Sequence, residues 1–310
     1  MPAATAPRRL FVTRLHVRMP RDFAFWPAVT GHGWCALMPF AHDAGERWLK
    51  CVLTLGSAVV ACTLTSHRSS VCVLVESRSP LLQTQRDEVL RQTRAMLRMD
   101  EDFRDFHRVA RRDRATRWIA RGKLGRLLRA PTVFEDITKM ICTTNCTWSL
   151  TTLMVKSLVE TFGRRSPVGT HAFPLPEAIA GSSESELRSR CRTGYRAPYL
   201  LHVADMVASG KIDVESWRTA GLASDELLTR LRSLPGIGPY AAENMLKLLG
   251  HYDHLGLDTW VRQRYCQLHT RGRRVSDAAI MRAYVGFGQW RALFFWLEMT
   301  RSWREEKFRT

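Results

Sequence analysis

The stretch Leu234-Pro235-Gly236-Ile237-Gly238-Pro239-Tyr240, with Asp258 on the loop after the next helical stretch, concentrates the groups best suited to binding and chemistry in this chain. Ser224 to Arg232 reads as a short helix with Asp225 and Glu226 in its first turn. The Pro-Gly-Ile-Gly run then breaks it, and Pro239 at a first helical position restarts the chain, giving a helical hairpin over 225–249. Both glycines are free to take positive φ and carry no side chain. Successive N–H groups near the second helix's N-terminus can therefore face one phosphate oxygen. Such a turn grips a nucleic-acid backbone without reading its sequence, which makes Pro235, Gly236, Ile237, Gly238 and Tyr240 the expected backbone-binding residues. On its own position, ahead of Thr259-Trp260-Val261-Arg262, Asp258 reads as a helix N-cap.

Leu-Pro-Gly-Ile-Gly with an aspartate on the loop beyond the second helix resembles the helix-hairpin-helix DNA glycosylases, and Asp258 stands at that superfamily's catalytic position. Two upstream segments are similar to the 8-oxoguanine DNA glycosylase branch. Ile141-Cys142-Thr143-Thr144-Asn145 looks like the loop whose asparagine enters the duplex where the flipped base was. Gly194-Tyr195-Arg196-Ala197 looks like the segment whose tyrosine wedges the stack and whose arginine faces the estranged base. The resemblance covers roughly residues 100–301. It implies two helical lobes with a cleft between them, double-stranded DNA containing a damaged base as partner, and Asp258 as the catalytic carboxylate. Asn145, Tyr195 and Arg196 become wedge and opposite-base residues, and Trp148, Tyr240, Trp260, Arg291 and Phe295 an aromatic, partly cationic base pocket. Taken singly, Asn145 also reads as a loop residue, Tyr195 as a packing residue and Phe295 as part of a buried helix.

The implied reaction is hydrolysis of the N-glycosidic bond of an extruded purine, with Asp258 stabilising the charge that develops on the sugar. Two departures from the 8-oxoguanine pattern shape it. Where bifunctional relatives carry a nucleophilic lysine, two residues after the second hairpin glycine, this chain has Tyr240, so no Schiff base and no strand cleavage are expected. Lys247, seven residues further on, lies about 10 Å along the helix axis. Leu150 stands where the branch has an arginine after the asparagine. An aromatic after the hairpin is closer to the bacterial alkylpurine glycosylases, so oxidised and alkylated purines both stay open. A non-catalytic protein using the hairpin as a backbone anchor, or a glycosylase for another modified base, are the alternative readings.

Composition agrees: 47 Lys+Arg against 29 Asp+Glu give a formal net charge of +18, which favours a polyanionic partner. Ten of those basic residues fall between Arg104 and Arg129, interleaved with Phe106, Val109, Trp118, Ile119, Leu124, Leu127 and Leu128, a pattern for helices with one buried and one cationic face. The eight cysteines are scattered without a metal-ligand ladder, and none follows Cys266, so neither a metal site nor the family's four-cysteine iron–sulfur cluster is expected. Whether a monovalent cation sits in the hairpin stays open.

The elements that must position these residues read as α+β. Residues 1–9 are expected to be a disordered basic arm. Residues 10–80 form an antiparallel sheet domain, rich in β-branched runs, with turns near Gly31-His32-Gly33, Asp43-Ala44-Gly45 and Ser66-His67-Arg68. Residues 81–310 form the helical domain. Its helices are expected at Thr84–Arg98, Pro131–Phe162, Ser183–Arg192, Arg196–Ser209, Asp225–Arg232, Pro239–Leu249 and Val275–Trp303. No secretory signal or membrane span is read. A monomer is expected, in the cytoplasm on the nucleoid or in a nucleus.

Overall fold

The computed structural model describes residues 10–303, so the arm expected at 1–9 lies outside the described residues, as does 304–310. Strands β1 (Phe11–Arg18), β2 (Ala41–Asp43), β3 (Trp48–Leu55), β4 (Ala58–His67) and β5 (Ser70–Ser77) make one antiparallel sheet in the order β1-β5-β4-β3-β2. The alternation in β5, where Val71, Val73 and Val75 are buried between part-exposed neighbours, sets its face and hence the register against β1 and β4. Between β1 and β2 the chain makes more than the expected turn. It leaves the sheet through helix α1 (Phe25–Val29) and a 3-10 turn (Gly33–Ala36), and this excursion carries His32 and Trp34 away from the sheet.

Helices α2 (Gln83–Met96), α3 (Arg104–Arg112), α4 (Arg117–Arg121), α5 (Val133–Thr143), α6 (Trp148–Phe162), α7 (Pro176–Ala180) and α8 (Glu184–Cys191) follow. After them come α9 (Ala197–Ala208), α10 (Ser224–Arg232), α11 (Pro239–Leu249), α12 (Thr259–His269), α13 (Asp277–Ala283) and α14 (Arg291–Met299). The single helix read over Pro131–Phe162 is two, broken at Thr144–Thr147, where Asn145 takes φ +46° and Thr147 caps α6 by accepting the Leu150 N–H. The helix read over Val275–Trp303 is likewise interrupted by a 3-10 segment (Val285–Trp290), in which Gly288 has φ +56°.

Two apolar cores underlie the architecture. One runs without a break from the sheet through α2 and α5–α11, and the other gathers α3, α4 and α12–α14 around Phe103, Phe106, Tyr284, Phe294 and Phe295. The sheet thus shares its core with the first helical lobe, and the second lobe packs separately. In the basic segment α3 does bury Phe106, His107 and Ala110 and exposes arginines, as its spacing predicts. Arg126 and Arg129, however, are buried rather than cationic surface. Arg126 donates to the carbonyls of Arg98, Asp22 and Glu101 and pairs with Asp22 at 3.0 Å.

Arg129 donates to the Leu248 carbonyl at 3.0 Å, and Arg98, also buried, donates to those of Lys247 and Leu248 at 2.7 and 3.3 Å. Both guanidiniums pair with Glu101, at 2.7 Å for Arg98 and 3.3 Å for Arg129. Burial would raise the Glu101 pKa, but Arg98 and Arg129 outweigh it and hold it below the usual carboxylate value. Glu101→Gln leaves both arginines without a counter-charge. Because Glu101 is itself partly exposed, the expected loss at pH 7 is about 2 kcal/mol, below the range for fully buried pairs. A folded-state pKa that is depressed gives stability that is present above the ordinary carboxylate pKa and lost as pH falls through the lowered value. Urea unfolding should therefore show a wild-type lead at pH 7 that shrinks on acidification toward pH 3. A lead independent of pH would contradict this account.

Candidate active site

The hairpin forms as its local residues dictate. Gly236 takes φ +81°, and a Cβ there would come within 2.9 Å of the Tyr199 ring, so glycine is needed both for the turn and for contact with α9. Gly238 differs from expectation. At φ −81° it is extended, it caps α11, and its Cβ position is open for 4 Å around. Gly238 and Pro239 are exposed, Pro235 and Gly236 half-buried, and Ile237 is a core residue whose burial anchors the turn. Among the described residues the Gly236 and Gly238 N–H groups donate to no backbone carbonyl, so both stay available at the helix N-terminus.

Beyond the hairpin a cleft of about 810 Å³ opens between the two lobes, and it is lined by Tyr240, Asp258, Trp148 and Trp260 together with His32, Trp34, Asn244 and Trp296. Trp148 and Trp260 are 44% and 48% exposed, which puts two indoles at the mouth with faces open to solvent. Asp258 Oδ1 accepts the Val261 N–H at 2.7 Å, so its carboxylate caps α12 and faces the cleft at once. Burial, then the negative charge of Asp258 and a hydrogen bond to it, raise the Tyr240 phenol well above its ordinary pKa, and it stays protonated.

The loop before Asp258 is tied down by α11. Glu243 accepts the Gly256 N–H at 2.7 Å, and buried Lys247 donates from Nζ to the Leu255 carbonyl at 2.9 Å. A Cβ on Gly256, at φ +71°, would strike Lys247 Nζ at 2.6 Å and Asn244 at 2.8 Å. Three polar side chains on one face of α11 thus fix the approach to Asp258. Burial pushes the Lys247 amine down to about 7, against the opposing pull of Glu243 and Asp258.

Three expected site residues lie elsewhere. Phe295 is 1% exposed and packs edge-on against Tyr284 in the second core, because α14 turns Ala292, Leu293, Phe294, Phe295 and Leu297 inward together. Arg291, at the start of that helix, donates to the Asp253 carbonyl and does not line the cleft. Arg196 is 3% exposed. It donates to the Thr144 carbonyl and stacks its guanidinium 4.4 Å from the Tyr195 ring, so it is turned into the protein. It braces the Asn145 loop against Tyr195, whose hydroxyl also reaches Thr144 O at 3.5 Å. Tyr195, 47% exposed, and Asn145, exposed, sit side by side on the surface beside the cleft. His32, Trp34 and Trp296 carried no signal in the sequence, because they meet only through the fold.

Residues 138–287 match the model of the HhH-GPD superfamily of base excision DNA repair proteins, in line with the resemblance carried by the hairpin and Asp258. Over 201 residues it is 22% identical to the DNA-3-methyladenine glycosylase of Bacillus subtilis (strain 168), covering 63% of this chain and 66% of that protein. A second curated relative from the same bacterium is covered over 58% of its length, so the chain spans less than two thirds of these relatives. Among solved structures it is similar to the 3-methyladenine DNA-glycosylase from Archaeoglobus fulgidus, with a TM-score of 0.73 and 20% identity over 93% of this chain and 98% of that one. It is similar also to the Clostridium acetobutylicum 8-oxoguanine glycosylase/lyase, with a TM-score of 0.70 and 18% identity over 94% and 98%. At these identities the structures establish a shared fold.

A buried amine with a depressed pKa binds its proton less well folded than unfolded, so between pH 7 and the ordinary lysine value the native state gains stability as pH rises. Lys247→Met lacks that titrating amine. The wild-type melting temperature should accordingly rise relative to Lys247→Met between pH 6 and pH 9. A constant difference across that range would mean the amine does not titrate in the fold.

Proposed function

We propose that this protein is a monofunctional DNA glycosylase of base excision repair, one that extrudes a damaged purine from duplex DNA and hydrolyses its N-glycosidic bond. The observation that carries the reading is the convergence of Asp258, Tyr240 and open indole faces on one inter-lobe cleft directly beyond a hairpin with free backbone N–H groups. The hairpin would hold a phosphate, the Tyr195–Asn145 ridge would enter the stack, and the base would lodge among the cleft's aromatic rings. As the leaving base takes the bonding electrons, positive charge develops on the sugar. Asp258, held by Val261 N–H and by the braced Leu255–Gly256 loop, would stabilise that charge and orient the attacking water. Either an oxidised or an alkylated purine fits this reading.

Absence of lyase chemistry rests on two side chains. Tyr240 stands at the superfamily's nucleophile position, and a phenol forms no imine. Lys247 is buried under Gly256 with its amine directed at the Leu255 carbonyl. The partner in this reading is duplex DNA carrying the lesion, engaged by a monomer.

Asp258→Asn keeps an oxygen to cap α12 but removes the charge. Single-turnover excision should fall at least about a hundredfold while lesion-duplex affinity stays within a few-fold. Retention of wild-type rates by the folded variant would remove Asp258 from the mechanism. Tyr195→Ala and Asn145→Ala should each weaken preference for lesion over undamaged duplex, by about tenfold or more, with little change in binding to undamaged duplex. Equal losses on both duplexes would make these residues plain backbone contacts. Borohydride trapping on a lesion duplex should give no covalent adduct with wild type, and efficient trapping would overturn the monofunctional assignment.

A further inference from the structure

The excursion between β1 and β2 lies outside the segment matched by the superfamily model, yet it supplies one wall of the cleft. Every group around its tip is committed. Trp34 donates Nε1 to Asp136 at 2.7 Å, and Trp296 donates Nε1 to the Gly31 carbonyl at 2.9 Å. A Cβ on Gly31 would overlap the Arg126 carbonyl at 2.2 Å, and one on Gly33 would meet the Trp148 ring at 2.9 Å. The tip is therefore wedged between both lobes with no room to shift.

His32 is the exception in this setting. It is 5% exposed, its ring stands edge-on to Trp34 at 4.4 Å and tilted to Trp296 at 5.4 Å, and its Nδ1 is sealed off without a hydrogen-bond partner. Among the described residues the other ring nitrogen forms no hydrogen bond either, and Nε2 is the one left toward the cleft that the residue lines. Leaving a polar side chain unpaired in a buried site is destabilising, and a fold that otherwise satisfies the groups at this tip has a reason for it. Burial and the fields of Lys247, Arg98 and Lys139 hold the imidazole pKa down to about 3, so the ring is neutral. A neutral imidazole with neither nitrogen committed donates or accepts according to what it meets, and it does not repel a cationic base.

We propose that His32 is a specificity-determining residue, whose Nε2 hydrogen-bonds the edge of a purine base lodged against the cleft's indole rings. The assignment deepens the glycosylase reading by naming what recognises the base, and its first test does not require catalysis. Free adenine and hypoxanthine are titrated against wild type, His32→Leu and His32→Gln, following quenching of the cleft tryptophans. Glutamine places an amide near the imidazole's outer nitrogen, whereas leucine keeps bulk and removes the hydrogen bond. Binding should weaken about tenfold in His32→Leu and recover to within about threefold of wild type in His32→Gln. Equal affinity of wild type and His32→Leu, absence of purine binding by wild type, or failure of His32→Gln to exceed a folded His32→Leu would each overturn the assignment.

The second arm measures single-turnover excision from duplexes carrying 8-oxoguanine, hypoxanthine, 1,N6-ethenoadenine or N7-methylguanine. His32→Leu should change the ratios among lesions, because their edges differ in donors and acceptors. A uniform loss would make His32 structural and overturn the assignment. Excision of nothing by wild type would defeat the enzyme reading, and the titration would still decide on His32.

Discussion

Two buried arginines on the last carbonyls of α11 hold the site together. Arg98 and Arg129, from the end of α2 and the strand-like approach to α5, both donate to the Lys247–Leu248 end of the helix. A helix C-terminus carries partial negative charge and leaves carbonyls unpaired, so two guanidiniums there satisfy hydrogen bonds and dipole together. Glu101 balances them, and through Arg126 the same cluster reaches Asp22 next to α1. Because α11 is the second helix of the hairpin, its direction fixes Gly238 at one end and the Glu243–Asn244–Lys247 face that braces Gly256 along its length. Positions of the hairpin turn and of Asp258 are thus set by one buried polar cluster at the opposite end of α11 from the turn.

A second polar centre does the same for the opposite wall. Asp136 is buried on α5 and accepts from Ala130 N–H, Trp34 Nε1 and Arg218 at 2.7–2.8 Å. One carboxylate therefore joins the excursion from the sheet, the start of α5 and the 3-10 turn at Glu215–Arg218. Its replacement by an apolar residue would leave an arginine and an indole N–H unpaired, which explains why so charged a group persists in the core. The cleft is an interface between two cores, and its walls are pinned by polar contacts because no shared apolar core spans it.

What the sequence made legible was local. Gly236, Gly238, Pro239 and the carboxylate of Asp258 announce themselves through residue type and short spacing, and the sheet through β-branched alternation as in β5. Trp34 and Asp136 lie 102 residues apart and Trp296 and Gly31 265 apart, so no periodicity could join them. Arginine was misread for a related reason. Net charge counts residue types, and Arg126, Arg129 and Arg196 contribute to it while lying inside the protein. Phe295 shows two patterns in conflict, with an apolar helical face outweighing a resemblance that pointed to the pocket.

Electrostatics around the cleft follows from burial and from that inward placement of cations. Burial first, and then the positive fields of Lys247, Arg98 and Lys139 acting through low-dielectric protein on the cleft wall, keep the His32 imidazole unprotonated. Tyr240, half-buried against Asp258, is kept protonated by burial and by that same carboxylate. Two aromatic side chains that elsewhere could carry charge are thereby both neutral in the cleft that holds Asp258. In the glycosylase reading this leaves the carboxylate's field unopposed by either neighbour at the point where a sugar cation would form, while their rings and hydrogen-bonding edges remain free to hold a base. Arg98 and Lys139 oppose that field less from behind the wall than they would from the cleft lining, where Arg264 stands. In the same reading, their burial behind the wall lets one protein combine a net charge of +18, suited to DNA, with a centre suited to stabilising positive charge.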